Sequence, residues 1–462
     1  MLFLNLIGLD LKKADKLFVW HPYTQMEDWR KWNNKVIVRG DGFYLIDSEG
    51  NRYLDGCASM WCNVWGHSRK EIMNSVIRQV QRLQHSTLFG LGNQPATELA
   101  EMLLKVARKM DHVFYSDNGS TAIEVALKMA LQYWRNKGNS KKKRFISLEN
   151  AYHGDTVGAM SVGYVPNYFR PYKPMLRLST RIRTPEPRTI LPKCNGISHD
   201  YIEKIERAFS AYSSECCAFV MESGAQIAGG VNIYPTGFQK MIAKLCQKYD
   251  ILLILDEVAT GFGRLGNMIE YLAQGSIPDI VCFGKALTGG YSPLAATLCR
   301  SQIYSSFLSD YSESKHFRHG HTYTGHPLGC SAAIANLHLY KKQNLLSKIR
   351  KNSTYLRNRL KEIWESPVIG SVGHKGLLAS IQLEDKRGKK RTPIEKLNVY
   401  GKQVRSNYYL TQEALKRGVF IRGLGNTIVI IPPLAIDRED FGHLLDVVFE
   451  LVGKVEAYHS NP

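Results

Sequence analysis

ILLILDEVATGFGRLGNMIEYLAQGSIPDIVCFGKALTGG, residues 251–290, contains two apolar runs that each end on a charge. Ile251–Leu255 runs into Asp256 and Glu257, and Asp279–Gly284 runs into Lys285 and, beyond it, the Gly289–Gly290 pair. Short apolar runs bounded by turn residues read as strands covered on both faces. The interval between them suits one strand–loop–helix–strand step, so the two strands are expected to lie near one another in a sheet. A carboxylate at the tip of such a strand is costly to bury unless a cation or donor meets it. An ammonium group delivered to the same place loses water and resists being charged. Asp256 and Lys285 are therefore read as facing one cleft.

The pattern repeats outward. HVFYSD (His112–Asp117), RFISLE (Arg144–Glu149) and CAFVME (Cys217–Glu222) are further candidate strands. TAIEVALKMALQYW follows the first as a helix, with Ile123, Ala126, Leu127, Ala130, Leu131 and Trp134 expected on its buried face. Strands alternating with helices predict an α/β protein with a mostly parallel sheet flanked by helices. Tyr164–Pro192 holds six prolines and is rich in Lys and Arg, which predicts an extended excursion over the surface. Toward the C-terminus, KGLLASIQL, GVFIR and TIVIIP read as strands of a smaller α+β unit. A closing helix follows over DREDFGHLLDVVFELVGKV, with Asp437 as its cap and Phe441, Leu444, Leu445, Val448, Phe449 and Val452 as its stripe. Near the N-terminus, KVIVRGDGFYLIDSEGNRYLDG has hairpin turns at GDG and SEGN. The expected division is 1–65 and 336–462 as the two parts of a small domain, with 66–335 as the large one.

Ligands of doubly wound sheets bind beyond the carboxyl ends of the strands. HVFYSD leads to Asn118, Gly119 and Ser120 at a helix start, a place that suits a phosphate. RFISLE leads to Tyr152 and His153, and an aromatic there can stack on a planar ring. Taken singly, each feature has a plain structural reading: Ser120 an N-cap, Tyr152 a packed tyrosine, Asp256 and Lys285 a structural ion pair. Together, phosphate nest, aromatic, carboxylate and lysine fit pyridoxal phosphate. That cofactor needs a lysine for its Schiff base and an acidic partner for its pyridine nitrogen. Burial lowers the amine's pKa, which suits a nucleophile and proton shuttle. The ion pair accounts for two of these four features.

Composition bounds the alternatives. The chain has 462 residues, 44 % of them hydrophobic, enough for a large core. Nine cysteines form no C-x-x-C pair, which points to reduced structural thiols, a cytoplasmic setting and no metal site. The opening MLFLNLIGL lacks a basic leader region and is too short to span a bilayer. It is expected to pack on the body or on a partner chain. No membrane association is expected. The net charge of +20 raises nucleic-acid binding. Its clusters, KKKR (Lys141–Arg144) and KRGKKR (Lys386–Arg391), lack interleaved aromatics and read as solvated loops.

LDEVATGFGRLG and FGKALTGG, with YSDNGSTAIEVALKMA and AYHGDTVGAMSVG, resemble the class III, fold-type I aminotransferases from about Trp20 to Pro433. Within that family WHPYTQM, HSTLFG, LKMALQYW and HGHTYTGHPLGC are similar to the branch that aminates 8-amino-7-oxononanoate to 7,8-diaminononanoate in biotin synthesis. The resemblance implies that Lys285 carries the cofactor, Asp256 meets its ring nitrogen, Tyr152 stacks on it, and Gly119 and Ser120 hold its phosphate. It also implies a homodimer in which Thr322 reaches the neighbouring subunit's cofactor. Tyr23, Trp61 and Gly320 would line the substrate cleft, and Arg422 would meet the keto acid's carboxylate, as a guanidinium fork can. At a strand end, Arg422 is otherwise an ordinary surface arginine. S-adenosylmethionine is the expected amino donor, with lysine the rival. Met60 precedes Trp61 where adenosylmethionine users have a Trp-Trp pair, and Val429 stands near where they have a Tyr. HGH-x-YTG and MESGAQIAGG (Met221–Gly230) resemble the lysine-using branch.

Overall fold

Seven strands form the central sheet of the computed structural model, which describes residues 10–386 and 391–460. Their spatial order is His112–Ser116, Ala295–Cys299, Ile280–Phe283, Leu252–Asp256, Cys216–Glu222, Arg144–Leu148 and Thr180–Ile182. Every strand is parallel to the rest except Ala295–Cys299, which runs antiparallel between its two neighbours. Cys216–Glu222 and Leu252–Asp256 are buried along their whole length, as strands covered by helices on both faces must be. Asp256 stands level with Glu222 on one side and Cys282 on the other, so three strands deliver their carboxyl ends to one rim. The sheet is thus the mostly parallel one expected, with all five anticipated strands in it. Ala295–Cys299 was not anticipated. Its Ala-Ala start carries weak strand propensity, and it is paired on both edges in the sheet.

The helix after His112–Ser116 spans Gly119–Asn136. Five of the six residues expected on its core face are buried, but Leu131 is 36 % exposed. Val125, Met129 and Tyr133 are buried instead, because the sheet and the neighbouring helix Val157–Val162 together cover more than one stripe. Tyr164–Pro192 also departs from expectation. It folds into a short helix, Pro166–Phe169, a 3-10 turn, Arg170–Met175, and the sheet's edge strand, Thr180–Ile182. Tyr164, Val165 and Phe169 are buried in a small apolar cluster with Met160, so the segment is anchored rather than laid over the surface.

Residues from both ends of the chain meet in a second sheet. Ile37–Asp41, Tyr44–Asp47 and Arg52–Asp55 form an antiparallel meander, and Val419–Phe420 adds in parallel beside Arg52–Asp55. A third sheet holds Ile369–Lys375, Leu378–Asp385 and Thr427–Ile430. The closing helix spans Arg438–Ser460. Asp437 caps it, accepting from the Asp440 amide at 2.9 Å, and the expected stripe is buried except for half-buried Phe449. Fully buried Arg264 ties the C-terminal segment to the central sheet by donating to the carbonyls of Leu377 (3.0 Å) and Pro432 (2.7 Å).

The KKKR cluster is not wholly solvated. Lys142 is buried, 3.9 Å from the centre of the Trp134 ring and 3.2 Å from Asp250 Oδ2. Met1–Leu9 and Arg387–Lys390 of the second basic cluster lie outside the described residues. Among the described residues no helix is long and apolar enough to cross a membrane.

Candidate active site

At the rim formed by the strand ends lies a cleft of about 590 Å³, whose walls include Trp61, Gly119, Ser120, Tyr152, Asp256 and Lys285. Asp256 ends one strand, and Lys285 stands two residues beyond the end of the next, with φ of 45°. No hydrogen bond or ion pair joins the two among the described residues, so they face the cleft without neutralising each other. The Lys285 amine is pushed below its ordinary value by burial, against the opposing pull of Asp256. Its Nζ lies 5.3 Å from the centre of the Trp61 ring.

Asp256 is 6 % exposed and oriented from two sides. His153 Nδ1 lies 2.8 Å from Oδ2, and the Val258 amide donates to Oδ1 at 2.9 Å. His153 Nε2 is buried without a partner among the described residues. Glu222 accepts from the amides of Tyr152 (3.2 Å) and Ile227 (3.0 Å), and burial pushes its carboxyl up to about 7. The sequence motifs contained His153 and Glu222, but no local signal assigned them a role. Their partners lie on other strands.

Asn118 caps the Gly119–Asn136 helix with a capping box, and Ser120 Oγ donates to Asn118 Oδ1 at 2.8 Å. The first-turn amides of Gly119 and Ser120 have no carbonyl a turn earlier to bond, as at any helix start. A Cβ on Gly119 would sit 2.6 Å from Val258 Cγ1, so the backbone comes closer there than any side chain allows. Gly154 has φ of 118°, and a Cβ on it would meet Ser120 Cβ at 2.1 Å. Gly290 has φ of 89°, and a Cβ on it would sit 3.2 Å from Cys62 Sγ.

The Tyr152 ring lies 6.0 Å from Phe169 in a near-parallel stack. Its hydroxyl and that of Tyr23 both donate to Asp155 Oδ1, at 3.0 and 2.6 Å. Both phenols are pushed upward, by burial first and by Asp155 as well, and stay protonated. Tyr23 and Arg422 line a neighbouring cavity of about 450 Å³ rather than the cleft itself. Arg422 is half-buried and pairs with no carboxylate among the described residues. Thr322 and Gly320 are exposed and lie outside the cleft wall. Gly320 abuts the Phe89 ring.

Trp61 is 8 % exposed and sits in an apolar cluster with Ala225, Ile227, Leu265, Val429 and Ile431. It ends a left-handed turn over Ala58–Trp61, a conformation that costs a residue with a Cβ about 1–2 kcal/mol.

The cleft has the parts that pyridoxal phosphate requires. It offers an amine whose charge burial weakens, a buried carboxylate, an aromatic ring, and a helix start that opens on a glycine. The class-III aminotransferase family model matches residues 27–452. The adenosylmethionine-8-amino-7-oxononanoate aminotransferase of Geobacter sulfurreducens is 43 % identical over 444 residues, covering 94 % of this chain and 96 % of that protein. The crystal structure of the enzyme of that name from Methanocaldococcus jannaschii superposes with a TM-score of 0.88 at 38 % identity, covering 96 % of this chain and 99 % of that one. An omega transaminase from Pseudomonas jessenii, solved in complex with PMP, gives a TM-score of 0.88 at 28 % identity over 97 % of this chain and 98 % of its own. By a family match over most of its length and relatives alike from end to end, the chain belongs to the class III aminotransferases.

Proposed function

We propose that this aminotransferase converts 8-amino-7-oxononanoate to 7,8-diaminononanoate in biotin synthesis, in the cytoplasm, with pyridoxal phosphate on Lys285 and S-adenosylmethionine as amino donor. The observation that carries the reading is Asp256 and Lys285 facing one cleft with no hydrogen bond or ion pair between them among the described residues, in a chain similar from end to end to enzymes named for that substrate and donor.

The cofactor supplies an electron sink for the donor's α-carbon when bound. The protein's residues do the rest. Asp256, aligned by His153 and the Val258 amide, holds a proton at the ring nitrogen. Tyr152, backed by Phe169, presses on the ring face. Gly119 and Ser120 present backbone amides to the phosphate. Lys285, with its charge suppressed by burial, binds as a nucleophile and then moves the α-proton. Arg422, free of any carboxylate among the described residues, takes the carboxylate of the keto acid. Tyr23 and Trp61 flank the chain of that substrate. In a homodimer with shared sites, exposed Thr322 reaches the neighbouring subunit's cofactor and Gly320 lines the substrate cleft. In this reading 1–65 and 336–462 form the small domain and 66–335 the large one, supported by the pairing of Leu54 with Val419.

Rescue of a biotin auxotroph tests the substrate: growth is expected, and failure to grow would point to another ω-aminotransferase. A second reading, lysine as donor, is favoured by Met60 and by Val429, which is buried against Trp61. Incubating the holoenzyme with each donor separately decides between them, since only the true donor bleaches the cofactor's visible absorbance. Sedimentation should show a dimer, and a monomer carrying full activity would overturn the shared site. Nothing beyond net charge favours nucleic-acid binding, and no shift of duplex or single strands is expected at low salt.

A further inference from the structure

Ala58, Ser59, Met60 and Trp61 have φ of 48°, 45°, 68° and 75°, and none is glycine. Four side-chain-bearing residues keep a left-handed path only where their surroundings over-determine it. The surroundings converge on one carboxylate. Asp55 is fully buried and accepts from Ser59 twice, from the amide at 2.9 Å and from the hydroxyl at 2.6 Å. His67 Nε2 lies 3.2 Å from the same carboxylate, and the Cys62 thiol closes the turn on the Ser59 carbonyl at 3.0 Å.

Asp55 is itself held firmly. It ends the strand Arg52–Asp55 and lies in register with Phe420, two residues before Arg422. The turn therefore springs from a fixed base, and its far end is Trp61, whose ring faces Lys285. Reversing the sign of φ at these positions redirects the Cα–Cβ bond of Trp61, and ring and amine part company. We propose that Asp55 is a positioning residue. By holding the Ala58–Trp61 turn left-handed, it sets the Trp61 ring as the wall of the cleft opposite Lys285. The proposal rests on the reading of Trp61 as a cleft residue.

A double-mutant cycle on the holoenzyme tests it. Trp61→Ala should raise KM for the keto acid about tenfold, more than it lowers kcat. It should also move the pH midpoint at which the visible absorbance of the Lys285-bound cofactor changes, because the ring next to the nitrogen is lost. Asp55→Ala should raise KM by a comparable factor and move the midpoint in the same direction. The pair together should be no worse than Trp61→Ala alone, since both remove one thing. Effects that multiply, or an unmoved midpoint in Asp55→Ala, overturn the proposal. If Asp55→Ala does not fold, Ser59→Ala, which removes only the hydroxyl bond, should show the same two changes in weaker form, and its silence counts against the turn. A normal KM in Trp61→Ala overturns the cleft reading itself, and the proposal with it.

Discussion

Lys285 and Asp256 face one cleft, and among the described residues no hydrogen bond or ion pair joins them. Each group is partly desolvated, and each is left with a valence for a third party. Lys285→Ala should abolish turnover and the visible absorbance of the Lys285-bound form of the cofactor together, and persistence of both contradicts the assignment. His153 is the less obvious residue. Its imidazole holds Asp256 from beyond the strand Arg144–Leu148, two places away in the sheet, so His153→Ala should lower kcat by about 10- to 100-fold while leaving the cofactor bound, as removal of an orienting partner does. Steady-state kinetics with an absorbance check on cofactor content would show this. Asp256 and Lys285 were legible from the sequence because a charge at the end of an apolar run is a local anomaly. His153 and Glu222 were not, because their meaning lies in what the fold places opposite them.

Among the elements, Tyr164–Pro192 shows why composition misled. Prolines and cations predicted a surface excursion, yet Phe169 is 1 % exposed and backs the Tyr152 ring. Phe169→Ala should cost about 3–5 kcal/mol of stability, the range for emptying a buried aromatic site, and should weaken cofactor retention. Thermal unfolding and dialysis against cofactor-free buffer would measure the two effects. The Gly119–Asn136 helix was legible in position and in most of its face. Leu131 was misassigned because a single-stripe pattern cannot tell how far neighbouring elements wrap round a helix.

On the scale of the whole molecule, buried titratable groups give stability a definite pH dependence. Burial raises Glu257 to about 8 and Glu222 to about 7, and it lowers His374 to about 4. A raised carboxyl binds its proton in the folded state before the unfolded state does, so its stabilising contribution is lost as pH rises toward the folded value. A lowered histidine acts in the opposite sense, but only up to its unfolded value of about 6.5. Between about pH 6.5 and 8 the carboxyls act unopposed by His374, and unfolding free energy should fall with pH. Denaturant titrations should find that slope, and Glu257→Gln should flatten it. By itself the sequence determined the alternation of strands and helices, the parallel sheet, and the placing of Asp256 and Lys285 at its rim. Periodicity and apolar runs are local properties, readable without knowing what a residue touches. Only the tertiary structure decided which strand neighbours which, that Leu54 from one end of the chain pairs with Val419 from the other, and that a left-handed turn bonded to Asp55 ends on Trp61 beside Lys285. Those outcomes depend on contacts between residues far apart in the chain, and no window of sequence carries them.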